Sequence, residues 1–206
     1  EIEPSSGSVI FPAGLRMAVL RQDHFAFNDF DALTTVLMGH ERLYEVMQEK
    51  DALYAKPDFD EADGMRTAEL EAEFGELNGW EAEAQAGELL SGLGIPVARH
   101  GVLVSDLDDS DKVRVLLAQA VFGEPDVLLL DDPFLYLGPG EGYHAWRRLV
   151  AVVREGHVQA ALLSAHDAEL ATEADRVGIL SGGELSVWGS PREILASPLP
   201  GGIDVP

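Results

Sequence analysis

Two short stretches of this sequence carry side chains whose types and order suit chemistry on phosphate. In the first, Val127-Leu128-Leu129-Leu130 runs into Asp131-Asp132-Pro133. In the second, Ala160-Ala161-Leu162-Leu163 runs into Ser164-Ala165-His166-Asp167. Short, wholly apolar runs read as strands buried in the middle of a sheet. A carboxylate at the C-terminal edge of such a strand stands in the crevice where α/β sheets bind ligands. Asp131 in that place can hold Mg²⁺ directly or through water. Asp132, next in line, can orient or polarise an attacking water. His166, just past the second run, can donate a hydrogen bond to a terminal phosphate oxygen. Each also has a plainer reading: a strand closed by an Asp-Asp-Pro turn, and a loop histidine. Their occurrence together, with a helix over 112–122 leading into the first run, favours chemistry.

The surrounding pattern supplies the elements that must position these groups. Strands are expected over 126–130, 159–163, 176–180 and 184–188, the last two around Gly182-Gly183. Helices are expected over 112–122, 141–154 and 167–172, and over 191–196 with proline at the first turn. Apolar strands alternating with helices imply a parallel sheet covered on both faces. Further upstream, 8–11 and 16–20 read as strands joined by Pro12-Ala13-Gly14, with Gln22 directly after the second. A helix over 31–38 is expected to be capped by Asp29 or Asp31. Leu43, Val46, Met47, Leu53 and Tyr54 fall on one helical face, as do Leu70, Phe74 and Leu77, with Pro57 between the two sets. Another helix is expected over 80–90. The division that follows is an α/β core of 1–30 and 112–196, a helical subdomain of 31–111, and an irregular tail of 197–206.

Charge narrows the partners. The net charge of −23 makes a surface that repels phosphate backbones, which disfavours direct nucleic-acid binding. Between 41 and 90 there are fifteen acids and four bases, which fits a solvated helical face or a partner-binding arm. With no cysteine, disulfides and thiolate metal sites are excluded. No apolar run approaches the ~20 residues of a membrane span, and no signal peptide is visible, so a cytoplasmic protein is expected. The chain does not begin with Met, which suggests a fragment or a processed product.

The block Lys-Val-Arg-Val-Leu-Leu-Ala-Gln-Ala-Val-Phe-Gly-Glu-Pro-Asp-Val-Leu-Leu-Leu-Asp-Asp-Pro, 112–133, resembles the post-signature helix and Walker B strand of ABC ATPases. Arg21-Gln22-Asp23 resembles their Q-loop, and Ser164-Ala165-His166-Asp167 their switch-histidine loop. Residues 19–88 resemble the ABC-F subfamily, soluble twin-domain ATPases of which many act on ribosomes. Residues 174–195 look more like a transporter ATPase. The resemblance implies an α/β, P-loop NTPase-like ABC ATPase core, N-terminally truncated, with an inserted helical subdomain. It implies ATP and Mg²⁺ as cofactors and a second ABC domain as partner, with a ribosome or ribosomal protein as a further one. By the same resemblance Gln22 would sense Mg²⁺ and the attacking water, and Asp131 would hold the metal. Asp132 would stand where the family has its catalytic glutamate, one methylene short, and His166 would be the switch histidine.

The sequence also departs from the family. A phosphate-cradling Gly-x-x-x-x-Gly-Lys motif needs a lysine after glycine, and none of Lys50, Lys56 and Lys112 follows one. Residues 1–9 resemble the stretch that follows the P-loop helix. Ahead of Lys112 the signature loop is replaced by Leu107-Asp108-Asp109-Ser110-Asp111, whose aspartates would either face a nucleotide phosphate or simply cap a helix. Leu180-Ser181-Gly182-Gly183-Glu184 spells a signature but sits between strand-like runs, so a hairpin turn is expected there. The loop over 134–142 lacks the family's aspartate. Weak or absent ATPase activity is expected of the isolated chain. The alternatives are a pseudo-ATPase interaction module and the ATP-binding subunit of an ABC transporter.

Overall fold

The computed structural model describes residues 7, 8, 10, 12–20, 26–134, 137, 140–155, 158–166 and 168–196, less the side chains at 152, 155, 168, 186 and 195. Three strands, β1 (Met17–Leu20), β2 (Val127–Asp131) and β3 (Ala160–Ser164), form one parallel sheet in the order β1-β2-β3. The register sets Leu20 beside Leu130 and Asp131 beside Ser164. β2 lies in the middle because Leu128 and Leu130 are its buried anchors. Its start is pinned to β1 by Asp126, which accepts from the Arg16 backbone N–H at 2.8 Å and donates its own N–H to the Arg16 carbonyl at 2.9 Å.

Between β1 and β2 the chain is helical. α1 (Ala32–Leu37) is capped by Asp31, whose carboxylate accepts from Thr34 N–H at 2.8 Å. α2 (Glu41–Tyr54) and α3 (Glu61–Glu76) form an antiparallel pair. Ion pairs clip its open end, Arg42 to Glu73 at 2.6 Å, and its middle, Arg66 to Glu49 at 2.7 Å and Lys50 to Glu71 at 3.0 Å. The buried Lys50 ammonium also lies 3.8 Å from the centre of the Phe74 ring, a favourable desolvated placement. Part of the acidic run is thus used to clamp one helix on the other. α4 (Ala82–Gly92) follows a 3₁₀ turn at Gly79–Glu81. α5 (Asp109–Val121) buries Val113, Leu116, Leu117, Ala120 and Val121, packs against α1, α4 and β1, and leads into β2.

After β2 come α6 (Glu141–Glu155), then β3, and then a hairpin of β4 (Val177–Ser181) and β5 (Glu184–Gly189). The hairpin turns on Gly182 and Gly183, at φ +59° and +83°, the left-handed pair that a two-residue turn requires. α7 (Pro191–Leu195) closes the described chain with a capping box between Ser190 and Glu193. Among the described residues no helix is long and apolar enough to cross a membrane.

Several expectations need correction. The run at 8–11 is not a strand at Ser8 or Ile10, and positions 9 and 11 lie outside the described residues. β1 pairs with β2 instead, in parallel, because a strand that starts next to Asp126 can share its backbone groups. Tyr54 shares a helical face with Leu43 and Val46 by spacing, yet it is exposed, because it sits at the last residue of α2 and bonds Glu71. The helix expected from Trp80 starts at Ala82, after the 3₁₀ turn that holds Trp80 edge-on to Phe74. The helix expected from 112 starts earlier, at Asp109, since Asp108 caps it. β3 is apolar in sequence but not buried. Leu162 is 63% exposed, and among the described residues β3 is paired on one side only, while β4 and β5 form a separate sheet. The expected double-sided cover is therefore incomplete in this segment.

The helical part carries a pH signature. His40 Nδ1 accepts from Leu43 N–H at 3.2 Å and so caps α2 with a neutral ring. Burial, then the nearby Arg16, push its pKa below the ordinary histidine value. The unfolded chain takes this proton more readily, so the contribution is complete above about pH 6.5 and is lost as pH falls through and below that value. A second loss follows in the carboxylate range. Glu49, Asp63, Glu71 and Glu73 are held below their ordinary values, first by hydrogen bonds from Arg66, Lys56, Lys50 and Arg42 respectively. Their contributions are present above the unfolded carboxylate values and fade as pH drops through the folded ones. Urea midpoints measured from pH 7.5 to 3.5 are expected to fall in these two steps. His40→Asn, which keeps a cap without a titrating ring, is expected to remove the upper step only.

Candidate functional site

β2 and β3 end side by side, and their ends bring three of the expected residues together. Asp131 closes β2, and its Oδ1 accepts from Ser164 Oγ at 2.6 Å, across the parallel register. Asp132 leaves the strand in the left-handed region at φ +44°, an uncommon conformation for an aspartate and a local strain. Its backbone N–H is held by Ser164 twice, donating to the carbonyl at 3.1 Å and to Oγ at 2.9 Å. That turn sends the Asp132 carboxylate to His166, Oδ2 to Nε2 at 3.1 Å. The His166 side chain is 88% exposed and that of Asp132 16%. The imidazole is therefore free to meet a ligand while its far side rests on a more sheltered carboxylate.

The elements behind these groups explain their placement. α5 delivers the chain into β2, and the next turn is anchored by Phe134, packed on Trp146 of α6 with ring centres 6.2 Å apart. Trp146 in turn donates from Nε1 to the Leu170 carbonyl at 2.9 Å, which fastens the segment after His166 to the same helix. The ends of β2 and of the histidine loop are thus tied to α6 from both sides. Gln22, expected to join them, lies outside the described residues, as does Asp167.

The aspartates ahead of α5 are structural in this geometry. Asp108 accepts from Asp111 N–H at 2.9 Å as the N-cap. Asp111 is buried and is held by Arg99 and, at 3.2 Å, by Arg114. Arg99 also reaches Asp108 at 3.2 Å. Asp109 is the most exposed of the three, its side chain 82% in solvent and 3.8 Å from Lys112. The capping alternative accounts for Asp108 and Asp111. The expected confrontation of three bare aspartates with a phosphate does not, because two of them already face arginines.

The donor set defines what could bind. Among the described residues no group of three or more His, Cys, Asp or Glu side chains is placed to hold a metal by itself. Asp131, whose Oδ2 has no hydrogen bond among the described residues, suits Mg²⁺ that takes its other ligands from water and nucleotide phosphates. The residues therefore fit the metal-and-water side of an Mg-nucleotide site. The 206 residues include no Gly-Lys pair to wrap the phosphates. A cavity of about 410 Å³ lies elsewhere, lined by Glu83, Gly87, Val97 and His100, where His100 Nε2 donates to the Ile95 carbonyl; it does not reach the strand ends. Ser164 is the residue that sequence reasoning passed over. Its signal was its place two before His166, but only the β2–β3 register sets it opposite Asp131.

No protein-family model matches the chain. An uncharacterized ABC transporter ATP-binding protein of Bacillus subtilis, YkpA, is 60% identical over 137 residues, 66% of this chain and 25% of that protein. A probable ATP-binding protein of Escherichia coli O157:H7, YbiT, is 51% identical over 133 residues, 65% of this chain and 25% of that protein. The chain thus matches about a quarter of the length of these relatives. Among solved structures, the dimeric post-hydrolysis state of the ATP-binding cassette MJ0796, bound to ADP and Pi, superposes with a TM-score of 0.59 at 17% identity, over 86% of this chain and 64% of that one. The chain therefore has the fold of an ABC-type ATPase nucleotide-binding domain, a P-loop NTPase fold, and over about two thirds of its length its sequence is similar to proteins named as ATP-binding.

Proposed function

We propose that this chain is the metal-and-water part of an ATP-binding domain that hydrolyses ATP within a larger ABC-type machine in the cytoplasm. The observation that supports it is the cluster at the strand ends, where Asp131, Asp132 and His166 converge through Ser164. Asp131 would hold Mg²⁺ through its free oxygen, and Gln22 would share that task. Mg²⁺, when bound with ATP, supplies charge stabilisation to the transferring phosphoryl group. Asp132 orients water and accepts its proton, and its bond to Nε2 keeps the His166 ring turned toward the ligand. His166 steadies a terminal phosphate oxygen from its exposed side. A second ABC domain is the expected partner, as in the dimeric relative.

Coupling to a transporter's membrane subunit is the favoured role, because the name of the B. subtilis relative speaks of an ABC transporter. An ABC-F role on a ribosome or ribosomal protein is the second reading. It draws on the α2–α3 hairpin, whose acidic face suits a basic protein surface. A pseudo-ATPase interaction module is the third, motivated by the lack of a Gly-Lys pair.

The purified 206-residue chain is expected to turn over Mg-ATP weakly or not at all, since its sequence has no Gly-Lys pair to wrap the phosphates. Phosphate release at an ordinary ABC rate, about 1 s⁻¹ or faster, that is abolished by Asp132→Asn would contradict this expectation.

A further inference from the structure

The geometry points to Ser164 as the positioning residue that sets the Asp131 and Asp132 carboxylates relative to one another. This inference rests on the metal-and-water reading of the strand ends and deepens it. A serine hydroxyl has one proton to give and lone pairs to accept with. Here the proton goes to Asp131 Oδ1 at 2.6 Å, in the short range of a charge-assisted bond. A lone pair takes the Asp132 N–H at 2.9 Å. One oxygen atom therefore fixes the rotamer of the first carboxylate and the backbone of the second.

Two consequences follow. With Oδ1 engaged by Ser164, and no bond to Oδ2 among the described residues, Asp131 presents Oδ2 to a hard cation. And Asp132 keeps φ at +44° because Ser164 holds its N–H through both carbonyl and hydroxyl. Release of the hydroxyl bond lets Asp132 relax toward an ordinary conformation and swing its carboxylate away from His166, which it meets at 3.1 Å. Misplacement on the scale of an ångström is enough to matter for a water-orienting group. Ser164 touches no ligand in this scheme and acts through its two neighbours.

The test compares the 206-residue chain with Ser164→Ala and Ser164→Thr. Threonine keeps the hydroxyl and suits a strand. The readouts are the carboxyl ¹³C signals of Asp131 and Asp132 without metal, and the Mn²⁺ dissociation constant at the strand ends from paramagnetic broadening. Ser164→Ala is expected to move both carboxyl signals and weaken Mn²⁺ about tenfold, with Ser164→Thr within twofold of the parent. Unmoved carboxyl signals in Ser164→Ala, or an equal loss in Ser164→Thr, would overturn the proposal. Moved signals with no Mn²⁺ binding in any of the three proteins would support the positioning role and sink the metal reading instead.

Discussion

Gly39→Ala is expected to lower the folding stability of this chain by about 3 kcal/mol, the upper part of the range for overpacking a close-packed contact. Gly39 lies in the turn between α1 and α2, where its N–H bonds the Val36 carbonyl at 2.9 Å. A Cβ at that position would overlap the Gln119 carbonyl oxygen and stand 2.9 Å from its carbon. Those atoms are backbone of α5, which cannot turn aside as a side chain would. The nearby Gln119 side chain is committed as well, donating to the Thr35 carbonyl at 2.9 Å. Relief would require α1 to back away from α5, which opens the packing around Val36, Leu116 and Leu117. For a chain of this size the melting midpoint should fall by about 6–12 °C. Gly101→Ala, where a Cβ would meet nothing within 4 Å, is the matched control, and thermal unfolding of the two checks the contrast.

Asp111→Ala is expected to cost about 2 kcal/mol, while Asp109→Ala, two residues earlier in the same helix turn, costs about 0.5 kcal/mol or less. The difference arises from what each carboxylate faces. Asp111 is buried and joins Arg99 to Arg114, so its loss leaves two guanidinium groups without their shared anion. A fully buried pair broken in this way costs more, but the Arg99 side chain is 40% exposed and water takes up part of its charge. Asp109 is mostly solvated and its Lys112 contact is long. Urea unfolding of both variants checks the pair. Near-equal, small losses would mean that Asp111 is not the structural anchor of Arg99 and Arg114, and would reopen the reading in which it faces a ligand.

Much of the fold was legible because its signals are local. The apolar runs at 127–130 and 160–163 are strands, one of the two aspartates expected to cap α1, Asp31, does so, and Gly182-Gly183 makes a hairpin rather than a signature loop. These depend on periodicity, capping and turn chemistry within a few residues. What escaped is set by residues far apart in sequence. The parallel pairing of β1 with β2 depends on Arg16 meeting Asp126. The role of Asp111 depends on Arg99, on a separate turn. Ser164 acquires its place from the strand register. Tyr54 is exposed although its spacing matches Leu43 and Val46, because helical spacing gives a face but not how far along the helix that face is covered. The exposure of β3 could not be read from composition, since Ala-Ala-Leu-Leu looks buried whether or not its neighbour is in the same segment. Of the candidate site, Asp131, Asp132 and His166 were found from the sequence and do converge. Gln22 falls outside the described residues.

A net charge of −23 draws divalent cations to the whole surface, so the most direct measurement is one that resolves position. Titration of the ¹⁵N-labelled chain with Mn²⁺, alone and with ATP, reads proximity to the metal at each backbone amide. Broadening is expected to appear first at Asp131, Asp132, Ser164 and His166, and Asp131→Asn should remove it there while leaving the fold intact. Broadening confined to the acidic α2–α3 hairpin, or unchanged at the strand ends in Asp131→Asn, would contradict a metal-and-water site at the ends of β2 and β3.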